Sequence, residues 1–159
     1  MTRVVVTRRI RAPRELVFRT IADPEEHARA NPDIVRVDYL SERRWGAGTR
    51  FREVRRVSGG EEAHVLVVLE LDEGRSVRMA TDSHGTLWDS TMAVRRDGER
   101  TELTVTMDAK AHKLVPKLLN PLLNGLFASA ISKDLDRVAA YCEARARDEH
   151  GQDDEEFDD

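Results

Sequence analysis

The sequence predicts an α+β protein in which an antiparallel sheet covers a long C-terminal helix. Three observations predict it. Six stretches of alternating apolar and polar residues follow one another from Val35 to Ala109, with turn signals between them. Two short helical stretches separate this run from a single strand near the N-terminus. The chain then closes on a long segment, residues 113–147, whose apolar residues recur at helical spacing. Strands gathered in one run, with helices set apart, indicate α+β architecture. Alternation indicates one covered and one wet sheet face, and only the closing helix is long enough to cover it.

Residues 4–10 are rich in β-branched side chains and read as strand one. Ala12-Pro13 ends it, and Pro13 opens a helix with Leu16, Val17, Thr20 and Ile21 on its apolar face. Asp23-Pro24-Glu25-Glu26 starts a second helix: Asp23 caps, Pro24 follows, and Glu26 stands where a capping box places its carboxylate. Val35, Val37 and Tyr39 mark the next strand, and Trp45-Gly46-Ala47-Gly48 turns the chain. Phe51, Glu53 and Arg55 alternate with Arg52, Val54 and Arg56 up to Gly59-Gly60. In the following strand Val65 and Val67 are expected inward, His64 and Leu66 outward. Val77, Met79 and Thr81 lead to a turn at Asp82-Ser83-His84-Gly85. Trp88, Ser90 and Met92 share a face of the sixth strand, Asp97-Gly98 is a hairpin turn, and Leu103, Val105, Met107 and Ala109 line the seventh.

In the closing segment, Leu119, Leu123, Leu126 and Ala130 fall on one face, and Ile131, Leu135, Val138 and Cys142 on another, about a third of a turn away. The first half is thus expected to face something other than the second. Pro121 and Gly125 mark a place where this helix bends.

The 159 residues are enough for one domain with a substantial core. No apolar run approaches the roughly 20 residues of a membrane span, and no signal-peptide pattern opens the chain, so a cytoplasmic location is expected. A single cysteine excludes an intrachain disulfide. The histidines at 27, 64, 84, 112 and 150 show no metal-ligand spacing, and neither metal nor cofactor is expected. The net charge of −4 conceals a split. Eight of the 30 carboxylates lie in residues 148–159, which hold no Lys or Arg. The remaining 22 face 26 Lys and Arg, so residues 1–147 carry +4. Residues 1–147 are read as the domain and 148–159 as a disordered acidic tail.

Ile10-x-Ala12-Pro13-x-Glu15-x-Val17-Phe18 resembles the opening of the START / Bet v 1-like (SRPBCC) superfamily, in its polyketide cyclase/dehydrase-type branch. Asp23-Pro24, Gly48-Thr49-Arg50-Phe51 and the 135–143 segment fall where that family has similar residues, so the resemblance spans about residues 3–146. It implies a helix-grip fold: a seven-stranded antiparallel sheet curled around the C-terminal helix, with a deep apolar cavity. Its members bind lipids, sterols, quinones, polyketides or hormones, and some catalyse cyclisation or aromatisation. No shared catalytic motif travels with the fold.

The candidate site is the space between the inner sheet face and the first half of the closing helix. Phe51, Val65, Val67, Met79, Trp88 and Met92 are expected to line it, with Leu119, Leu123 and Phe127 closing it. A filled core built from the same residues is the alternative. Glu53 shares the parity of Phe51, and a buried carboxylate there would serve as an acid or base, with Thr81 and Ser90 as further polar candidates. Pairing with an arginine is the ordinary fate of such a residue. Arg43, Arg44, Arg50, Arg52, Arg55 and Arg56 form a basic stretch, read first as a solvated face and second as an interaction surface. Nucleic acid is disfavoured because aromatics do not interleave with it. The leading expectation is a monomer or homodimer that binds a hydrophobic small molecule of polyketide, quinone or lipid class. The alternatives are a cyclase/aromatase-type enzyme acting by positioning and proton transfer, and an interaction module using the arginine face.

Overall fold

The computed structural model describes residues 2–113 and 121–155, with side chains over 2–113 and 125–151. The elements run β1 (Thr2–Ile10), α1 (Arg14–Ala22), α2 (Pro24–Ala30), β2 (Ile34–Tyr39), β3 (Arg50–Val57), β4 (Gly60–Asp72), β5 (Ser76–Ser83), β6 (Thr86–Asp97), β7 (Arg100–Ala111) and α3 (Pro121–Glu155). The seven strands form one antiparallel sheet in the order β1-β7-β6-β5-β4-β3-β2. This is a helix-grip fold. Two-residue turns make most of the hairpins. Gly98, at φ +63°, follows Asp97 between β6 and β7. His84 and Gly85, at +52° and +82°, join β5 to β6 in the mirror-image turn geometry that suits strand twist.

Asp23 caps α2 as expected, accepting from the amides of Glu25 (3.0 Å) and Glu26 (3.5 Å). The capping box is not completed. The Glu26 carboxylate turns to α3 instead, accepting from Tyr141 Oη (2.9 Å) and Arg145 Nη1 (3.2 Å), and so fastens α2 to the closing helix.

α3 packs on β1, α1 and α2 but stands off the middle strands. Arg8 to Asp136 (2.8 Å) and the Arg11 amide to Glu143 (3.0 Å) tie it to the β1 edge. From Phe127 onward its buried stripe is continuous. Phe127, Ile131, Leu135, Val138, Cys142 and Ala146 follow one another three or four residues apart, and burial deepens along the series. Leu126, expected on the inner face, is 65% exposed, and Ala130 is exposed with it. Of the four residues expected on the first face, these two are thus turned to solvent. Pro121 and Gly125 lie in the described helix, but the residues just before Pro121 lie outside the described residues, so the expected bend there is not tested. The expectations for Leu119, and for the side chain of Leu123, lie outside the described residues. The helix also continues to Glu155, beyond the boundary drawn at residue 148. Arg145 donates to Tyr141 one turn back (2.8 Å) and faces the charge of Glu149 one turn on, which carries the helix across that boundary.

In β4 the two faces are exchanged relative to expectation. Phe51 pairs with Leu66 and Glu53 with His64, so Leu66, Val68 and His64 share the concave face. Val65 and Val67 therefore point to the convex face, and Val65 is 38% exposed. A register shift between Val68 and Glu70 leaves Leu69 exposed and brings Leu71 back onto the core. In so apolar a strand neither face is visibly the wet one, and a one-residue change of parity reverses every side chain.

Candidate functional site: a cavity with one polar end

The stand-off between α3 and the middle strands leaves a cavity of about 140 Å³. Its floor is the concave sheet: Phe51 on β3, Leu66 on β4, Met79 on β5, Ser90 and Met92 on β6, Val105 and Met107 on β7. Ile131 and Leu135 of α3 roof it, and Ile21 and Pro24 close one end. Of the four methionines in the chain, three line this space. Methionine side chains are unbranched and re-pack readily, so these walls adapt to shape.

One end is polar. Arg55 Nε donates to Glu53 Oε1 (2.5 Å), and Arg55 Nη1 to Asp134 Oδ2 on α3 (3.0 Å). Asn31 Nδ2 donates to the other Asp134 oxygen (3.0 Å), and Arg137 bridges Asn31 Oδ1 (2.6 Å) and Asp33 Oδ2 (2.5 Å). Burial acts to lower the pKa of Arg55, but Glu53 and Asp134 outweigh it and the net shift is upward. His27, on α2, completes the end. Its Nδ1 is buried and has no hydrogen-bond partner among the described residues. Burial holds its pKa below the ordinary histidine value, against the opposing pull of Glu53 and Asp134. The cavity thus offers a neutral imidazole beside an ion triad.

The structure brings Phe51, Glu53, Met79, Ser90 and Met92 together around this space. Glu53 is not a free acid or base, because it is held in the pair with Arg55. Thr81 is taken out of the constellation: its hydroxyl donates to the Val65 carbonyl (2.6 Å) and it does not line the cavity. Trp88 and Phe127 stack edge to face at 4.8 Å between ring centres, against each other rather than around the cavity. Val65 and Val67 are on the other side of the sheet. Arg55 leaves the basic stretch for the interior, and Arg44 lies over the Tyr39 ring at 4.8 Å.

Sequence reasoning missed His27, Arg55 and Asp134 as site residues. Arg55 carried a signal, since it shares the parity of Phe51 and Glu53. Asp134 carried a weaker one, three residues beyond Ile131 on the buried stripe. His27 follows Pro24 by one helical turn, but nothing in the sequence marks α2 as facing a cavity.

A sheet that grips one long helix around an interior space defines a START-like protein of the SRPBCC superfamily. A model of the family described as polyketide cyclase / dehydrase and lipid transport matches residues 1–143, and the chain belongs to that family. Similar solved structures include the Zhui aromatase/cyclase from Streptomyces sp. R1128. It is 22% identical, with 91% of this chain and 94% of that chain covered and a TM-score of 0.74. A protein from Thermus thermophilus is 21% identical over 91% and 99% of the two chains, with a TM-score of 0.73. A START superfamily protein from Mycobacterium smegmatis is 18% identical over 92% and 97%, with a TM-score of 0.67. No curated protein matches the chain. Among the described residues, no helix is long and apolar enough to cross a membrane.

Proposed function

We propose that the protein binds a hydrophobic small molecule, of polyketide, quinone or lipid class, in the cavity beneath α3. The observation that carries this reading is a mostly apolar space between the concave sheet and α3 with a single polar end, the usual form of a small-molecule site. Its volume equals the share of about five liquid waters, so a larger ligand must displace the methionine walls. That makes the test specific. In protein carrying ¹³C-methyl methionine, titration with a quinone or polyphenol should shift the Met79, Met92 and Met107 signals and leave Met1 in place. Uniform small shifts, or none, would remove the reading.

A second reading, catalysis of the cyclase/aromatase type, is favoured by the polar end. His27 offers a neutral nitrogen for proton transfer, and Arg55 a fixed positive charge beside it, in a space that would hold a reactive chain folded. The likeness to the Streptomyces aromatase/cyclase supports that reading at the level of fold. His27→Gln separates the two. A carrier retains its ligand affinity within about threefold, whereas an enzyme loses on the order of a hundredfold in turnover.

A further inference from the structure

A second cleft, of about 620 Å³, opens on the surface at the opposite end of β7 from the hairpin joining β5 and β6. On β7 it is lined by Thr101 and the interior cavity by Val105, with fully buried Leu103 between them. Three segments meet there: the β1–α1 junction, the β6–β7 hairpin and the far part of α3. They bring together Arg11, Arg14, Arg96, Arg100, Arg147 and His150, with Glu99 the one carboxylate in the lining among the described residues.

Several neighbouring arginines of the sheet are matched by carboxylates. Around the same hairpin, Arg95 pairs with Glu102 (3.1 Å) and Arg9 with Asp97 (3.3 Å). Further along the sheet Arg3 pairs with Asp108 and Arg78 with Asp89, both at 2.7 Å. Among the described residues, no ion pair is formed by Arg11, Arg96, Arg100 or Arg147. Arg14 reaches only its neighbour Glu15, at 3.9 Å, and its Nε is buried without an acceptor. The backbone adds to the imbalance. The N-cap of α1 is Pro13, whose side chain offers no acceptor, so the first amides of the helix have no side-chain cap at the cleft wall. Uncapped helix amides, unmatched guanidinium groups and an orphaned buried donor all require the same complement, an anion with several oxygen acceptors.

We propose that this cleft binds a phosphorylated small molecule, with its di- or triphosphate held between the start of α1 and the β6–β7 hairpin. Five guanidinium groups exceed what one monoanion can satisfy, and the cleft has room for a group beyond the phosphates. The site is separate from the interior cavity, and its occupancy does not depend on what that cavity holds.

Calorimetric titration of the full chain with inorganic tripolyphosphate, ATP and adenosine tests this. Tripolyphosphate and ATP should bind saturably at one site and adenosine should not, with affinity falling as salt rises. Arg96→Ala with Arg100→Ala, both exposed on the hairpin, should weaken binding by about tenfold or more. The pair Arg36→Ala with Arg52→Ala, on β2 and β3, should leave it unchanged. The Arg14 Nε–H resonance should shift on addition of tripolyphosphate, which reads the buried donor without a variant that disturbs α1. Absence of saturable binding at low salt, or equal weakening by both pairs of substitutions, overturns the proposal. So does binding to phosphatidate vesicles without binding to soluble tripolyphosphate.

Discussion

Arg55 is the residue on which the polar end depends. It stands between two carboxylates, and Glu53 is only 6% exposed. Removing one partner of a buried pair leaves an uncompensated charge, which is far more damaging than replacing the pair together. Arg55→Met should therefore destabilise the fold by about 3 kcal/mol in urea denaturation, and adding Glu53→Leu should restore part of that loss. His27 governs a different response. Its pKa is lower folded than unfolded, so as pH falls below the ordinary value of 6.5 the unfolded chain takes up the proton first. The contribution is present above that value and is lost as pH falls toward the folded one. Stability should drop as pH falls below about 6.5, with a slope of up to about 1.4 kcal/mol per pH unit. His27→Gln should flatten that slope. An unchanged profile in the variant would assign the slope to other groups.

Among the elements, α3 has two regimes along one stripe. Leu135, Val138 and Cys142 are nearly or wholly buried, while Phe127 and Ile131 are only partly covered. Leu135→Ala should cost about 2–5 kcal/mol, and Ile131→Ala less, because Ile131 is only partly buried. Equal losses in thermal unfolding would mean that Ile131 is as fully packed in solution as Leu135. The existence of α3, its buried second half and the order of strands were legible because periodicities of 3.6 and 2 are long-range averages that survive local irregularity. The facing of β4 was not. Val65, Leu66, Val67, Val68 and Leu69 are all apolar, and only pairing with Phe51 and Glu53 decides which of them turn inward. The same limit applies to the site. Glu53, Ser90, Met79 and Met92 were found by parity within their own strands. Asp134 and His27 reach the cavity through the placement of α3 and α2, which no single segment encodes.

At the scale of the whole molecule, polar chemistry is concentrated at sites the chain brings together from distant positions. Asn31, Asp33, Arg55, Asp134 and Arg137 form one network across α2, the loop before β2, β3 and α3. The split between a basic body and an acidic end, visible in composition, gains a location. Four arginines without carboxylate partners among the described residues, Arg11, Arg96, Arg100 and Arg147, line the cleft near the β6–β7 hairpin, beside the part of α3 where the acidic residues begin. The sheet also ends in two edge strands, β1 and β2; Arg3 and Arg9 are exposed on β1 and Arg36 on β2. Charged edges oppose the strand-to-strand association that an open sheet otherwise invites.

The methionine-lined wall makes the interior a redox target. Conversion of a thioether to its sulfoxide, chiral at sulfur, would put a polar oxygen into a surface that is otherwise apolar. Met92 and Met107 are partly accessible and Met79 nearly enclosed, so peroxide should modify the first two sooner. Mass spectrometry of peptides after mild oxidation would give the order directly. A bound apolar molecule should slow all three, and a protein already oxidised should bind such a molecule less tightly. Cargo would then protect its own container, and an oxidised, empty protein would be slow to refill until its methionines were reduced.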